Sequence, residues 1–154
     1  MLVDHPVEKS FLLDTCVYID SLQDKFSAEV ADIVDNRNHF HSVCALQEMM
    51  LAVGALNPMD TRTRHSIATI GALIKTVTAE RLFQPDIETS GRAALLAGTL
   101  SRIQGYGKDH RSRALNDCTL FLQAQKMGTT LLTRNYADFD ILLQMIPSGR
   151  VLFY

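Results

Sequence analysis

Short apolar runs alternate along this chain with longer segments in which apolar residues recur at helical spacing. A short apolar run predicts a strand at residues 11–13, β-branched residues predict one at 129–133, and further strands are predicted at 39–43 and 151–154. Another short run, residues 81–84, stops at Pro85. Spacing and capping signals predict helices from Ser27, from Glu48 to about Gly54, over residues 57–77, from Thr89, and over residues 112–126 before Gly128. Parallel strands need crossover connections, so this order predicts an α/β fold with a central parallel sheet flanked by helices on both faces.

Composition is that of one globular domain spanning residues 1–154, with 47% apolar and 21% charged residues. The start, from Met1 to Ser10, lacks the long apolar core of a signal peptide, and no later stretch approaches the roughly 20 apolar residues of a membrane span. We therefore expect a cytoplasmic protein without a membrane partner. The stripe within residues 57–77 is expected to be core, and it consists of Ile67, Ile70, Ile74 and Val77.

Net charge limits the kind of nucleic-acid contact that the chain can make, and cysteine content indicates the redox compartment. A net charge of −2 and a pI near 6.2 argue against coating nucleic acid by bulk charge, so any such contact should be local. Three cysteines without a CxxC motif favour a reducing compartment and buried thiols over disulfides or structural zinc. They are Cys16, Cys44 and Cys118.

Four acidic residues follow predicted strands or open predicted helices: Asp14, Glu48, Asp117 and Asp138. Ligands of parallel sheets bind beyond the carboxyl ends of the strands, so these residues are candidates for one site. Clustered carboxylates repel one another, and a divalent cation removes that conflict. Oxygen ligands select Mg²⁺, or Mn²⁺ as a substitute, over zinc. The expected chemistry is activation of water for attack on a phosphodiester.

Each of these residues also has an ordinary explanation, since 17 acidic residues place several at loop edges by chance. Asp14 could cap the next turn through its side chain, and Glu48 could be an acid favoured by a helix N-terminus. Asp117 is harder to explain in that way, because it lies in a mostly apolar helix where an unpaired carboxylate is costly.

Local strings around these acids resemble PIN domains, and most closely the VapC toxins of bacterial toxin–antitoxin pairs. Residues 12–19 resemble the opening strand of the family, and residues 116–124 and 131–139 resemble its third and fourth motifs in the same order and separation. Ser42 followed by Glu48, and the small residues within 89–98, extend the resemblance over nearly the whole chain. The resemblance implies a single PIN-like domain with Asp14, Glu48 and Asp117 as its acidic triad.

The same resemblance implies a Mg²⁺-dependent endoribonuclease that cleaves structured RNA such as tRNA or rRNA. It further implies inhibition by a small cognate antitoxin, and a homodimer. The chain departs from the family where many relatives carry a second aspartate after the strand threonine, because Asn135 stands there. Asp138 then becomes the fourth acidic ligand, Asn135 a neutral oxygen ligand, and Asp140 a competitor. Gly54 lies later than the glycine that relatives have soon after the glutamate.

Further residues are candidates for supporting the site. Thr15 and Thr133 are expected to orient a carboxylate or water, although capping explains them equally well. Basic residues are expected to contact the RNA backbone, with a solvated loop as the alternative, and these are Lys108, Arg111, Arg113 and Arg134. His110 is not needed as a base, and the other histidines, His39, His41 and His65, show no ligand spacing and are expected to be surface or structural. An antitoxin helix is expected to dock on exposed Met49, Met50 and Leu51.

The sequence therefore predicts a metal-dependent ribonuclease with Asp14, Glu48, Asp117 and Asp138 as catalytic residues and metal ligands. Two alternatives remain: a PIN-fold nuclease that processes RNA or acts on DNA without a toxin role, and a non-catalytic PIN-like binding scaffold. Both Asp14 and Asp117 are present, which favours an active nuclease over the scaffold.

Overall fold

Within residues 9–154, the sheet has five strands that all run parallel, in the spatial order β3-β2-β1-β4-β5. The computed structural model of the protein describes residues 9–154, so most of the segment Met1 to Ser10 discussed above lies outside the described residues. The strands are β1 (Phe11–Leu13), β2 (His39–Ser42), β3 (Leu82–Phe83), β4 (Thr130–Thr133) and β5 (Val151–Phe153). The predicted parallel sheet is confirmed.

Strand β1 occupies the centre of the sheet. Phe11 pairs with His39 of β2 on one side and with Thr130 of β4 on the other. Successive side chains of a strand point to opposite faces, yet all three residues of β1 are buried. Both faces of the sheet are therefore covered, as expected for parallel strands that are joined by helices.

In the described part of the chain, seven α-helices connect the strands: α1 (Thr15–Leu22), α2 (Ala28–Asn36), α3 (Val43–Gly54), α4 (Thr61–Thr76), α5 (Ile87–Gln104), α6 (Lys108–Met127) and α7 (Tyr136–Met145). A 3₁₀ turn at Ala79–Arg81 leads into β3. None of the helices within residues 9–154 is long and apolar enough to cross a membrane.

Two helices were not predicted, and both begin at a side chain of the candidate site. Helix α1 follows β1 directly, and the Asp14 side chain caps it by accepting a hydrogen bond from the backbone N–H of Thr15. Helix α7 is capped by Asn135, whose side-chain oxygen accepts from the backbone N–H of Asp138. The capping role suggested for Asp14 is thus present in addition to its place in the site.

Three predicted helix starts were wrong. Helix α3 begins at Val43, capped by Ser42, so Glu48 lies in its middle and not in its first turn. Helix α6 begins at Lys108, so Asp117 also lies well inside a helix. The basic residues Lys108, Arg111 and Arg113 belong to the first turns of this helix and not to a loop. Helix α5 is capped by Asp86 and not by Thr89 or Ser90.

The core lies between the sheet and helices α1, α3, α5, α6 and α7. Its largest fully buried side chains include Leu12, Leu131 and Leu132 of the sheet and Phe121 and Phe139 of the helices. The stripe expected in α4 is only partly core: Ile70 is buried, Ile74 and Val77 are half-buried, and Ile67 is 46% exposed. Helix α4 therefore lies at the periphery and contributes little to the core.

Candidate acidic active site

Asp14 lies at the carboxyl end of the central strand, where it is held by the neighbouring strand. Its backbone N–H donates to the carbonyl of Leu132 at 3.1 Å, and the Thr133 hydroxyl donates to its Oδ2 at 2.6 Å. The residue is only 4% exposed. Because β1 and β4 are adjacent, the end of β4 orients the carboxylate at the end of β1, which is the role expected of Thr133.

Glu48 and Asp117 approach the same point from helices. The Thr15 hydroxyl donates to Glu48 Oε2 at 2.8 Å, which ties α3 to the first residue of α1. Asp117 is 3% exposed, and its Oδ2 accepts from the Asn135 amide nitrogen at 3.0 Å. The acids are thus brought together although Glu48 and Asp117 are mid-helix residues.

Asp138 completes the group from the first turn of α7. It is buried, and it accepts a hydrogen bond from the hydroxyl of Tyr106, a residue in the α5–α6 connection that sequence reasoning missed. Burial and the bond to Asp138 raise the pKa of Tyr106 to about 12. Asp140, the competitor for the fourth place, bonds instead to Gln144 at 2.9 Å and does not line the pocket that holds the other acids.

Burial and mutual repulsion perturb three of these carboxylates. Desolvation raises the pKa of Asp14 and of Glu48, and the charge of Asp14 raises that of Glu48 further. The pKa of Asp117 is raised well above its ordinary value, first by desolvation and then by the charges of Asp14, Asp138 and Glu48. Such mutual interaction requires the four groups to be close, and a divalent cation between them would relieve it.

The donor chemistry of this group fits a hard cation, since every candidate ligand is an oxygen. In the present side-chain arrangement, however, no set of three or more histidine, cysteine, aspartate or glutamate residues among residues 9–154 could hold a metal ion. Thr133, Thr15 and Asn135 each occupy one oxygen of a carboxylate. Binding of Mg²⁺ would therefore require these carboxylates to reorient.

The acids line one pocket of about 660 Å³, which we call the acidic pocket. Its wall is formed by Asp14, Thr15, Cys16, Ile19, Glu48, Ala52, Tyr106, His110, Arg113, Asp117, Arg134, Asn135, Tyr136, Ala137 and Asp138. The four predicted acids, Asn135 and Thr15 therefore all line the pocket. Thr133 is fully buried and does not line it, but it contacts the pocket through its hydrogen bond to Asp14.

The four basic candidates differ in their positions. Arg113 lines the acidic pocket, and its charge lowers the pKa of both Asp14 and Glu48 against the larger effect of burial. Arg111 lines a different depression beside α5, and Lys108 is exposed at the start of α6. Of these three residues, Arg113 alone lines the acidic pocket.

Arg134 is committed to another buried acid, Asp20. Arg134 Nε lies 2.7 Å from Asp20 Oδ2, and the Tyr154 hydroxyl donates to the same oxygen at 2.8 Å. The Asp20 side chain is 5% exposed, whereas that of Arg134 is 52% exposed. Arg134 lines the pocket, but its charge is already balanced within the protein.

The cysteines and the predicted docking residues need corrections. Cys118 is buried, but Cys16 lines the acidic pocket with its Sγ 3.4 Å from Asp14 Oδ2, so its surroundings are not purely apolar. Burial and the charge of Asp14 raise the pKa of the Cys16 thiol to about 11, which keeps it unreactive.

Met49 is 1% exposed and belongs to the core, leaving Met50 and Leu51 as the exposed residues among the three predicted to dock an antitoxin helix.

A second cavity, of about 770 Å³, lies between α1, α2, α4 and β2 and contains none of the four acids. Its most buried polar pair is Tyr18 and His41, whose hydroxyl and Nδ1 are 2.7 Å apart. Burial lowers the pKa of His41 to about 4, so this histidine is neutral and structural, as expected. The convergence of carboxylates, not cavity size, identifies the candidate site.

The fold is thus a five-stranded parallel sheet with flanking helices, and the acids gather beyond its carboxyl edge. No protein-family profile matches the sequence, and no curated protein matches it either. Solved structures do match. They include chains of VapBC2 from Rickettsia felis bound to a DNA fragment from its promoter (14% identity, TM-score 0.62, 94% of this chain and 98% of that chain).

Two further matches have the same extent. One is FitAcB from Neisseria gonorrhoeae (19% identity, TM-score 0.63, 94% of this chain and 96% of that chain). The other is VapBC-5 from Mycobacterium tuberculosis, a member of the VapBC family of toxin–antitoxin systems (19% identity, TM-score 0.59, 94% and 98%). The chain therefore has the fold of chains in these complexes over nearly its whole length, and the fold predicted from the resemblance is confirmed.

Proposed function

We propose that this chain is a Mg²⁺-dependent endoribonuclease and the toxin of a toxin–antitoxin pair. The observation that carries the proposal is the convergence of three acids from three different elements on one open pocket, two of them buried and Glu48 half-buried. Asp14 comes from the end of β1, Glu48 from α3 and Asp117 from α6. Folding brings such groups together against their repulsion, which is typical of a functional site and costly for a purely structural one.

Asp14, Glu48 and Asp117 would hold Mg²⁺, with Asp138 as the fourth acid. When bound, Mg²⁺ supplies a Lewis acid that polarises a phosphoryl oxygen and makes water a better nucleophile. Asn135 bridges Asp117 and Asp138 through its amide nitrogen, which lies 3.0 Å and 3.5 Å from their Oδ2 atoms. In this arrangement it holds the two acids in place, and rotation of its amide would turn its oxygen toward them.

Positive charge at the pocket supports a polyanionic substrate. Arg113 lies four residues before Asp117 in α6, so both side chains lie on one face of the helix and line the acidic pocket. A guanidinium there can bind the phosphate that precedes or follows the scissile bond. Lys108 and Arg111 lie earlier on the same helix and would contact the backbone farther from the acids.

The fold shared with chains of toxin–antitoxin complexes supports a cognate antitoxin as the partner. Exposed Met50 and Leu51 on α3 would receive an apolar face of that antitoxin. A homodimer is the proposed oligomer.

Induced expression of the wild type beside Asp117→Asn tests the proposal. We expect growth arrest and RNA cleavage only with the wild type, cleavage dependent on Mg²⁺, and no cleavage after addition of EDTA. Asp109→Asn, an exposed acid on the same helix outside the acidic pocket, is the matched control and should behave as the wild type.

Each other outcome is informative. Equal growth arrest by both proteins together with cleavage that survives EDTA would refute the metal-dependent nuclease. RNA cleavage by the wild type without growth arrest would favour a processing enzyme over a toxin. Absence of any cleavage by purified wild type would favour the binding scaffold.

A further inference from the structure

Two aromatic rings at the edge of the acidic pocket have no role in the function proposed so far. Tyr106 and His110 stack with ring centroids 5.8 Å apart and an angle of 29° between their planes. Both residues line the acidic pocket, and His110 is exposed. One side of the imidazole thus rests on Tyr106 while the residue remains accessible to a ligand in the pocket.

Tyr106 is held firmly beneath His110. Its hydroxyl donates to Asp138, and its backbone N–H donates to the carbonyl of Ser101 at 2.8 Å. The chain turns sharply just before it, because Gly105 has a φ of +64° and ends helix α5. A ring that is anchored through both its hydroxyl and its backbone is a rigid support. Little conformational entropy is therefore lost when a ligand stacks on the pair.

His110 lies on the same face of helix α6 as the proposed phosphate-binding arginine and one of the acids. His110, Arg113 and Asp117 follow one another at spacings of three and four residues in α6, so they lie along one face of the helix. In a nucleotide, the base and the phosphate are separated by the sugar and can contact different side chains. Along α6, the ring of His110 would contact the base and the guanidinium of Arg113 the phosphate, with Asp117 next to the scissile bond.

We propose that His110, supported by Tyr106, is a stacking site for an unpaired nucleobase next to the phosphodiester that the acids cleave. Protein aromatic rings bind bases of single strands in this way with little sequence preference, because every base has a π face. The site would select RNA in which this nucleotide is unstacked, such as a loop or a bulge. The inference rests on the nuclease function proposed above and specifies the form of its substrate.

Binding without cleavage provides the test. In an Asp117→Asn background, the affinity of a ten-nucleotide unpaired RNA is compared with that of an abasic ribose-phosphate chain of the same length. We expect the RNA to bind at least about fivefold more tightly than the abasic chain. His110→Ala should remove most of that difference, while His110→Phe should retain it. His65→Ala replaces an exposed histidine outside the acidic pocket and should change nothing.

A spectroscopic measurement separates stacking from a structural role. An RNA with 2-aminopurine at successive positions should lose fluorescence on binding at one position, and His110→Ala should abolish the loss while His110→Phe restores it. An RNA-to-abasic affinity ratio that His110→Ala leaves unchanged would overturn the stacking site even if the wild type cleaves RNA. Failure of both probes to bind would overturn it as well, and the nuclease proposal would fall only if the wild type also failed to cleave RNA.

Discussion

Removing Arg134 should destabilise the protein through Asp20, and it should do so without requiring any RNA contact. Within residues 9–154, the Asp20 carboxylate, whose side chain is 5% exposed, forms an ion pair with the Arg134 guanidinium and accepts a hydrogen bond from the Tyr154 hydroxyl. Replacing Arg134 with methionine keeps an unbranched side chain of similar length and removes the charge. The carboxylate then retains one neutral donor in a place that water scarcely reaches.

The magnitude follows from the unequal exposure of the two partners. Removing one member of a buried ion pair costs about 3–5 kcal/mol, whereas exposed pairs contribute about 0–1 kcal/mol. Asp20 is buried but the Arg134 side chain is 52% exposed, so water replaces part of the lost interaction. We expect Arg134→Met to lower the free energy of unfolding by about 1–3 kcal/mol. In a chain of this size each kcal/mol lowers Tm by about 2–4 °C.

A double-mutant cycle is the appropriate assay. Urea unfolding followed by circular dichroism would be measured for the wild type, Arg134→Met, Asp20→Asn and the double variant. With the carboxylate already removed, Arg134→Met should cost less than about 0.5 kcal/mol. Costs that add to within about 0.5 kcal/mol would refute the coupling of these residues. A loss of RNA affinity that is equal with and without Asp20→Asn would instead restore Arg134 as an RNA contact.

Three further outcomes follow from the site and the helix ends. Because the folded protein raises the pKa of Asp117 above its ordinary value of 3.8, the folded state binds more protons than the unfolded state above that pH. The free energy of unfolding of the metal-free wild type should therefore fall from acid to neutral pH. Asp117→Asn should show a smaller fall and should be more stable than the wild type at pH 7. Urea unfolding at a series of pH values would measure both effects. Mg²⁺ at 100 times its Kd should stabilise the wild type by about 2.7 kcal/mol, seen as a rise in Tm that Asp117→Asn lacks. Gly128→Ala, at a φ of +70°, should cost about 1–2 kcal/mol in thermal unfolding, whereas the control Gly54→Ala, at the end of α3 with open space around its Cβ position, should be neutral or slightly stabilising.

The sequence predicted four of the five strands closely, because apolar or β-branched residues mark β1, β4 and β5 and aromatic Phe40 lies within β2. It did not reveal α1, since the apolar run of β1 continues past Asp14 into Val17 and Tyr18 without a loop to mark the boundary. The start of α3 was placed too late for the same reason, because Ser42 caps the helix directly after β2. A helix that begins where a buried strand ends leaves no change in hydrophobicity to detect.

Asp117 was predictable because a carboxylate is costly within an apolar helix, whereas Asp14 was predicted from its place after a buried strand and Glu48 mainly from the family resemblance. Tyr106 was missed because its partner Asp138 is distant in the sequence and the glycines around it indicate only a loop. Asp20 was missed because its partners, Arg134 and Tyr154, are also far away. Long-range partners leave no local pattern, so the ion pair between Arg134 and Asp20 could not be predicted, and the RNA contact expected of Arg134 stays a prediction.

The central position of β1 also determines when activity can appear during synthesis. Asp14 leaves the ribosome more than a hundred residues before Thr133, which orients its carboxylate, and before Asn135 and Asp138, which line the pocket after β4. Domains fold as their chain emerges, and contacts between distant segments form last. A nascent chain that has not yet released β4 therefore lacks an assembled site. If the chain is a toxin, translation delays its activity until the segment through Asp138 has been made.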